Sequence, residues 1–382
     1  MNPTLKFSTA KCQFLATTRK RVNQHFKDTN STRHANTAMW VKTALFLTGF
    51  AALYGLIISN MFSALVLLPL AIVLGMFSAF VGFNVCHDAI HGSFSGNDTT
   101  NKVLSFVFNL LGASPYVWSI THNTVHHNYT NIPGHDEDIE IAPGLIRISN
   151  EEPVNRVQRY QHWYAFPLYC LASVSWAFRK DYKKFFQDRV GQHENDHPKI
   201  EYFNLFFNKF LYYFLFIALP LMVLSITWWQ FIIGFLALHF AQGLTMGLVF
   251  QLAHVVEGTE FPTPNEETGN MEEVWAAHQM RTTANFASKS PVAAFFLGGL
   301  NMQIEHHLFP KVCHIHYRAI SRIVKQTAAE FDIPYIENPT FVDALKSHYA
   351  MLKKFGKDAF AESRLPLCSV KQPARNPQLP TG

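Results

Sequence analysis

Charge and cysteine are the two things this chain has little of. Of its 382 residues only 15% are Asp, Glu, Lys or Arg, against roughly 25% in soluble domains, while 48% are hydrophobic. From Thr43 to Cys86, and again from Phe210 to Val256, none of those four residues occurs. Each run is long enough for two crossings of a bilayer, at about 20 apolar residues per crossing, with a tight turn between. The five cysteines, Cys12, Cys86, Cys170, Cys313 and Cys368, form no CxxC pair, which argues against a cysteine-rich zinc site and leaves free thiols in a reducing compartment. HExxH is absent too. The basic residues do not make the aromatic-interleaved patch that nucleic acid needs, so no nucleic-acid partner is expected. The net charge of +5 fits an anionic membrane leaflet and fits a plain solvated surface nearly as well.

Four spans are expected, at about 43–59, 62–83, 209–227 and 230–253. The turns at Ser59-Asn60 and Trp228-Trp229-Gln230 carry no charge, whereas Lys6, Lys11, Arg19, Lys20, Arg21, Lys27 and Lys42 precede the first span. The positive-inside rule then places both termini and the long middle segment in the cytoplasm. No secretory signal is expected, since the first apolar run starts beyond residue 40 and continues as a hairpin. Residues 1–38 read as a polar basic arm, mobile or lying on the surface, 39–350 as the membrane domain, and 351–382 as a tail, disordered from about 362, where four prolines fall.

Two further apolar stretches bear on the chemistry. Residues 103–120 join histidines at 87 and 91 to others at 122, 126 and 127, and a full crossing there would part the two sets. If they share a site, this stretch must dip into or lie along the membrane and return, with Gly112 and Pro115 at the break. Residues 162–178, rich in Tyr and Trp, suit the interface, with a crossing left open.

Histidines are what the chain does have. HDAIH puts His87 and His91 on one helical face at i, i+4, the geometry for two ligands on one ion. Alone, such a pair is common among 19 histidines. HNTVHH repeats it with His122 and His126 and adds His127, turned by about 100° and able to reach a neighbouring metal. QIEHH sets Gln303 on the same face as His306 and His307. Ionisable groups at membrane edges are costly unless used, so three such clusters at span boundaries point to a shared site. Seven imidazoles are too many for one tetrahedral zinc, and nitrogen-rich ligation of two ions suits iron and dioxygen chemistry. The carboxylate-rich pattern of soluble di-iron bundles is missing.

HDAIH, HNTVHH and QIEHH, separated by hydrophobic hairpins, resemble the three histidine boxes of the integral-membrane fatty acid desaturases, over about residues 40–350. The surround GGLNMQIEHHLFP, with Gln leading the third box, is similar to the front-end subgroup (delta-5/delta-6, linoleoyl-CoA desaturase-like), and QMRTTANF and YTNIPGHDEDIE resemble stretches of the same subgroup. The resemblance implies an all-α membrane fold, four transmembrane helices in two hairpins, with a cytoplasmic helical cap holding a histidine-rich di-iron site. It implies His87, His91, His122, His126, His127, His306 and His307 as iron ligands, and adds His254 in QLAHVVEG. Gln303 is taken as a metal position too, binding weakly or through a water. Outer partners are sought in Asp88, Asp136, Asp138 and Glu305, since a ligating imidazole usually donates its other N–H to an acceptor. Trp118, Tyr116, Phe250 and Trp275 can line an acyl tunnel or simply pack. His239, His278, His314 and His316 are taken as structural.

The implied activity is O2-dependent insertion of a cis double bond into a fatty acyl chain carried on lipid, CoA or carrier protein, using two Fe ions. Membrane lipids are the other partner. No HPGG haem motif occurs, so electrons are expected from a separate cytochrome b5 or ferredoxin. A membrane di-iron lipid hydroxylase or sphingolipid-type desaturase would use the same site. A haem-binding electron carrier would need paired histidines deep between spans, where only His239 lies, and a zinc membrane hydrolase is a third possibility.

Overall fold

The computed structural model describes residues 5–10, 13–149, 152 and 154–362, so Cys12, Cys368 and the expected disordered tail beyond 362 lie outside the described residues. Four helices are long and apolar enough to cross a membrane: Thr37–Ile58, Ala64–Ile90, Lys199–Val223 and Trp228–His254. They cover the four expected spans with shifted ends. Asn36 caps the first by accepting from the Met39 amide, so that helix starts early enough to take in Lys42, whose side chain is buried. The second does not stop at 83. It continues through a π-turn, Gly82–Cys86, and carries His87 onward. A capping box of Thr227 and Gln230 starts the fourth, which packs along the second for much of its length.

The stretch joining the first two histidine clusters is sharply bent. Asp98–Leu110 and Pro115–Tyr129 meet at 108°. Gly112 takes φ +88° at the corner, a conformation that costs a side chain dearly, and Ser114 caps the second arm on the Val117 amide. A buried ion pair pins the corner: Asp181 accepts from the Ser114 amide at 2.7 Å and pairs with Lys209 at 2.8 Å, while Lys209 Nζ donates to the Gly112 carbonyl at 2.8 Å. Residues 162–178 fall in the short helix Gln161–Cys170 and the helical run 172–186, both packed against the fourth long helix.

The basic arm contains an ordered helix, Gln13–Asp28, lying on Tyr317–Glu330. Phe14, Thr18 and Val22, four residues apart, form its buried stripe, and Arg21 reaches Glu330 at 2.7 Å. One narrow stripe in a strongly basic segment barely moves the average hydropathy, so the segment looked featureless. The proposed boundary at 350 falls inside the helix Phe341–Glu362. Sheet is confined, among the described residues, to two small pairs: Arg189–Val190 antiparallel to His193–Glu194, and Asn285–Phe286 parallel to Glu337–Asn338. Cys86, Cys170 and Cys313 are free thiols.

Candidate metal centre

The first two histidine boxes ride on helices that a π-turn widens. The π-turn ahead of His87 sets the first. The second is itself a π-turn, Ser119–His126, so the α-helical spacing expected for HNTVHH does not hold, and the wider turn still lets His122 and His126 stack with ring centroids 5.0 Å apart. The third sits on Gln303–Leu308, and His254 ends the fourth long helix. None of the nine candidate side chains is more than 6% exposed.

They converge in two groups. One nitrogen from each of His87, His91, His122 and His306 lies within 4.8 Å of the others, and the same holds for His126, His254 and His307. His127 sits between the groups, its ring 4.5 Å from His306 and 4.4 Å from His307, its Nε2 3.2 Å from that of His122. Gln303 joins the smaller group: its Nε2 is 3.1 Å from His254 Nε2 and 3.5 Å from His307 Nε2, and its Oε1 has no partner.

Five of the histidines have their Nδ1 engaged, whereas the Nδ1 atoms of His87 and His127 have no hydrogen-bond partner. His126 Nδ1 donates to Asp136 at 2.8 Å, His122 Nδ1 to Asp138 at 3.1 Å, His307 Nδ1 to Gln279 Oε1 at 2.7 Å and His254 Nδ1 to the Thr282 carbonyl at 3.3 Å, while His306 Nδ1 meets the Tyr317 hydroxyl at 3.1 Å. By contrast the Nε2 atoms of His87, His91, His126 and His306 are buried without a hydrogen-bond partner. Burying unpaired polar atoms side by side is costly, and cations placed among them remove the cost, so the donor set fits metal. Burial, reinforced by neighbouring imidazoles, holds His91, His306 and His307 well below the ordinary histidine range, in the neutral form that ligates. Although burial opposes it, Lys180 and His122 hold the Asp138 carboxyl well below its usual range.

Of the four proposed outer carboxylates, Asp136 and Asp138 each accept from a histidine of the two groups. Glu305 does not: it accepts from Asn285 at 2.8 Å and Tyr335 at 2.9 Å, touches no histidine of the site, and is pushed up to about 7 by burial. Asp88 lies 3.7 Å from His87 Nδ1 and accepts instead from His314 Nδ1 at 2.8 Å, whose Nε2 accepts from Lys42 at 3.1 Å. Asp88, Cys313 and His314 also lie close enough together to hold an ion, but that hydrogen-bond chain already engages both ring nitrogens of His314. His278 donates to the Thr130 carbonyl at 2.8 Å, His316 contacts the His34 carbonyl at 2.9 Å, and His239 is held between Ser173 and Tyr212, which leaves it no free nitrogen for a haem. Asn131 was overlooked. Its side chain donates to the carbonyls of His254 and Thr282, and its amide donates to Asp136, tying the second box to the fourth helix. His87, His122 and Gln303 face a cavity of about 140 Å³ that runs between the second and fourth long helices. Trp118, stacked on His122 at 4.1 Å, and Phe250 line it, whereas Tyr116 bonds His197 and Trp275 donates to the His127 carbonyl.

With this geometry in hand, comparison is decisive: residues 62–339 match the fatty acid desaturase family. The chain belongs to that family. A desaturase is an oxidoreductase, as expected, and named relatives extend the match over nearly the whole chain. An acyl-lipid (8-3)-desaturase of Physcomitrium patens is 36% identical over 360 residues, 94% of this desaturase and 75% of the relative. An sn-1 linoleoyl-lipid 6-desaturase of Synechocystis sp. is 34% identical over 92% of this chain and 98% of its own. Another of the same description from Arthrospira platensis is 33% identical over 88% and 90%.

Proposed function

We propose that this desaturase is of the front-end type, inserting a cis double bond between an existing one and the carboxyl end of an acyl chain carried on a membrane lipid, with a two-iron centre, O2 as co-substrate and electrons from a separate cytochrome b5 or ferredoxin. One observation carries this: two buried groups of imidazoles with unpartnered nitrogens sit at a cavity running down between two membrane helices, lined by His87 and His122 of the one group and by Gln303 beside the other. The lipid-linked substrates named for the relatives support the choice of carrier.

His87, His91, His122 and His306 would hold one iron and His126, His254 and His307 the other, with His127 between them and Gln303 offering Oε1 to the second, directly or through a water. When bound, the iron pair supplies the oxidising power to break C–H bonds of unactivated methylenes, which side chains lack. Asp136, Asp138, Gln279 and Tyr317 fix the ring orientations. Trp118 and Phe250 wall off water and leave a slot for methylenes beside His87 and His122. The basic residues ahead of the first long helix support a cytoplasmic site, with both termini on that side.

Lipid profiling of a host expressing the wild type and His307→Ala tests the reading. A new polyunsaturated lipid is expected from the first and none from the second; a hydroxylated product, or equal profiles, would overturn it, and metal analysis should find about two irons per chain, the count that the two histidine groups call for.

A further inference from the structure

A second cavity, of about 250 Å³, lies along the same two helices as the one that reaches the histidines. On the second long helix Leu74 lines the far cavity and Ser78 the near one; on the fourth, Leu238 lines the far cavity and Gln242 the near one. Each pair is one helical turn apart, so the cavities are stacked end to end on one seam. Between them the helices touch backbone to backbone: a Cβ on Gly75 would lie 2.1 Å from the Leu238 carbonyl oxygen. Leu74 and Leu238 are 1% and 6% exposed there. The polar groups at the seam are spent on backbone, Ser78 donating to the Leu74 carbonyl at 2.8 Å and Gln242 to the Leu111 carbonyl at 3.0 Å. The layer that parts the two cavities, Leu74 and Leu238, is hydrocarbon. The far cavity is lined almost wholly by such side chains, Ala71, Phe216 and Phe235 among them.

The nine residues from His87 down to Ser78 measure roughly 13 Å, room for about ten extended carbons past the site. A longer methyl end meets the Leu74–Leu238 layer. We infer that the far cavity is an overflow chamber for the methyl end of the acyl chain, and that Leu74 and Leu238 set how much chain beyond the new double bond is accepted. This rests on the near cavity holding the acyl substrate, as proposed above.

The test uses cells expressing full-length enzyme and fed, in parallel, eighteen- and twenty-two-carbon fatty acids of the same head-end unsaturation. Leu238→Ala removes the layer and should raise the ratio of long-chain to short-chain conversion by about ten-fold, the order of discrimination that a few methylenes in an apolar pocket carry. Gly234 lines the far cavity, and a Cβ there meets nothing within 4 Å, so Gly234→Leu added to Leu238→Ala fills the opened chamber without disturbing the helix pair and should bring the ratio back below that of Leu238→Ala alone. Ratios equal to wild type in both variants would overturn the inference, leave the desaturase assignment standing, and return the chamber to ordinary bilayer lipid. Absence of any new double bond from the wild type would sink both.

Discussion

The two histidine groups are made of the same side chain and held in different ways. The larger, around His87, His91, His122 and His306, has four imidazoles and is backed by charge: Asp138 pairs with Lys180 at 2.8 Å, and Asp88 connects through His314 to Lys42. The smaller, around His126, His254 and His307, has three imidazoles and an amide, backed by Gln279, the Thr282 carbonyl and an Asp136 that accepts backbone N–H from Asn131 and Asp138 rather than a cation. As proposed above, the larger group would offer its iron four imidazoles. The smaller would offer three and the Gln303 amide, a weaker donor that leaves a position free for a reacting centre.

That contrast can be broken experimentally, and the largest effects come from the imidazoles. His122→Ala and His126→Ala should each abolish the new product and lower bound iron, read by lipid analysis and metal content; retention of activity by either would remove that group from the centre. Next are the outer carboxylates, where a loss of about 10–100-fold is expected. Asp136→Asn should fall at the severe end, because among the described residues no lysine or arginine pairs with Asp136, and Asp138→Asn at the mild end; equal losses would show the two supports to be equivalent. Gln303→His completes the smaller group with a fourth imidazole. Iron content should hold or rise while turnover falls by about ten-fold, since a stronger ligand closes the open position; full activity would mean the amide has no specific role. Smallest of all, Tyr317→Phe takes one hydrogen bond from His306 and should cost about 1 kcal/mol, a few-fold in activity with unchanged product position.

Much of this architecture was legible because it is written in local patterns. Charge-free runs announce spans, HxxxH, HxxxHH and QxxHH announce histidines that converge, and Gly112 with Pro115 announces a corner. Support for the ligands was legible only where it lies near in sequence, as Asp136 and Asp138 do. Gln279 sits 28 residues from His307 and His314 sits 226 from Asp88, and no periodicity relates such pairs. His314 is structural, as expected, but the partner that fixes it, Asp88, arrives from another helix. Glu305 failed for the opposite reason: adjacency to His306 is not contact, since successive helical residues point about 100° apart, and its carboxyl turns toward Asn285 and Tyr335 instead.

The π-turn Gly82–Cys86 amounts to one surplus residue wound into an otherwise continuous rod. It works like the set-screw on a shaft. Everything beyond it, His87 and His91 included, is rotated by about 100° relative to the membrane-embedded part below, one residue's worth of helical twist. Deleting a single residue there would leave both composition and hydropathy intact and swing the first box away from the centre, so the catalytic aim of a 27-residue helix hangs on its length being right to within one peptide unit.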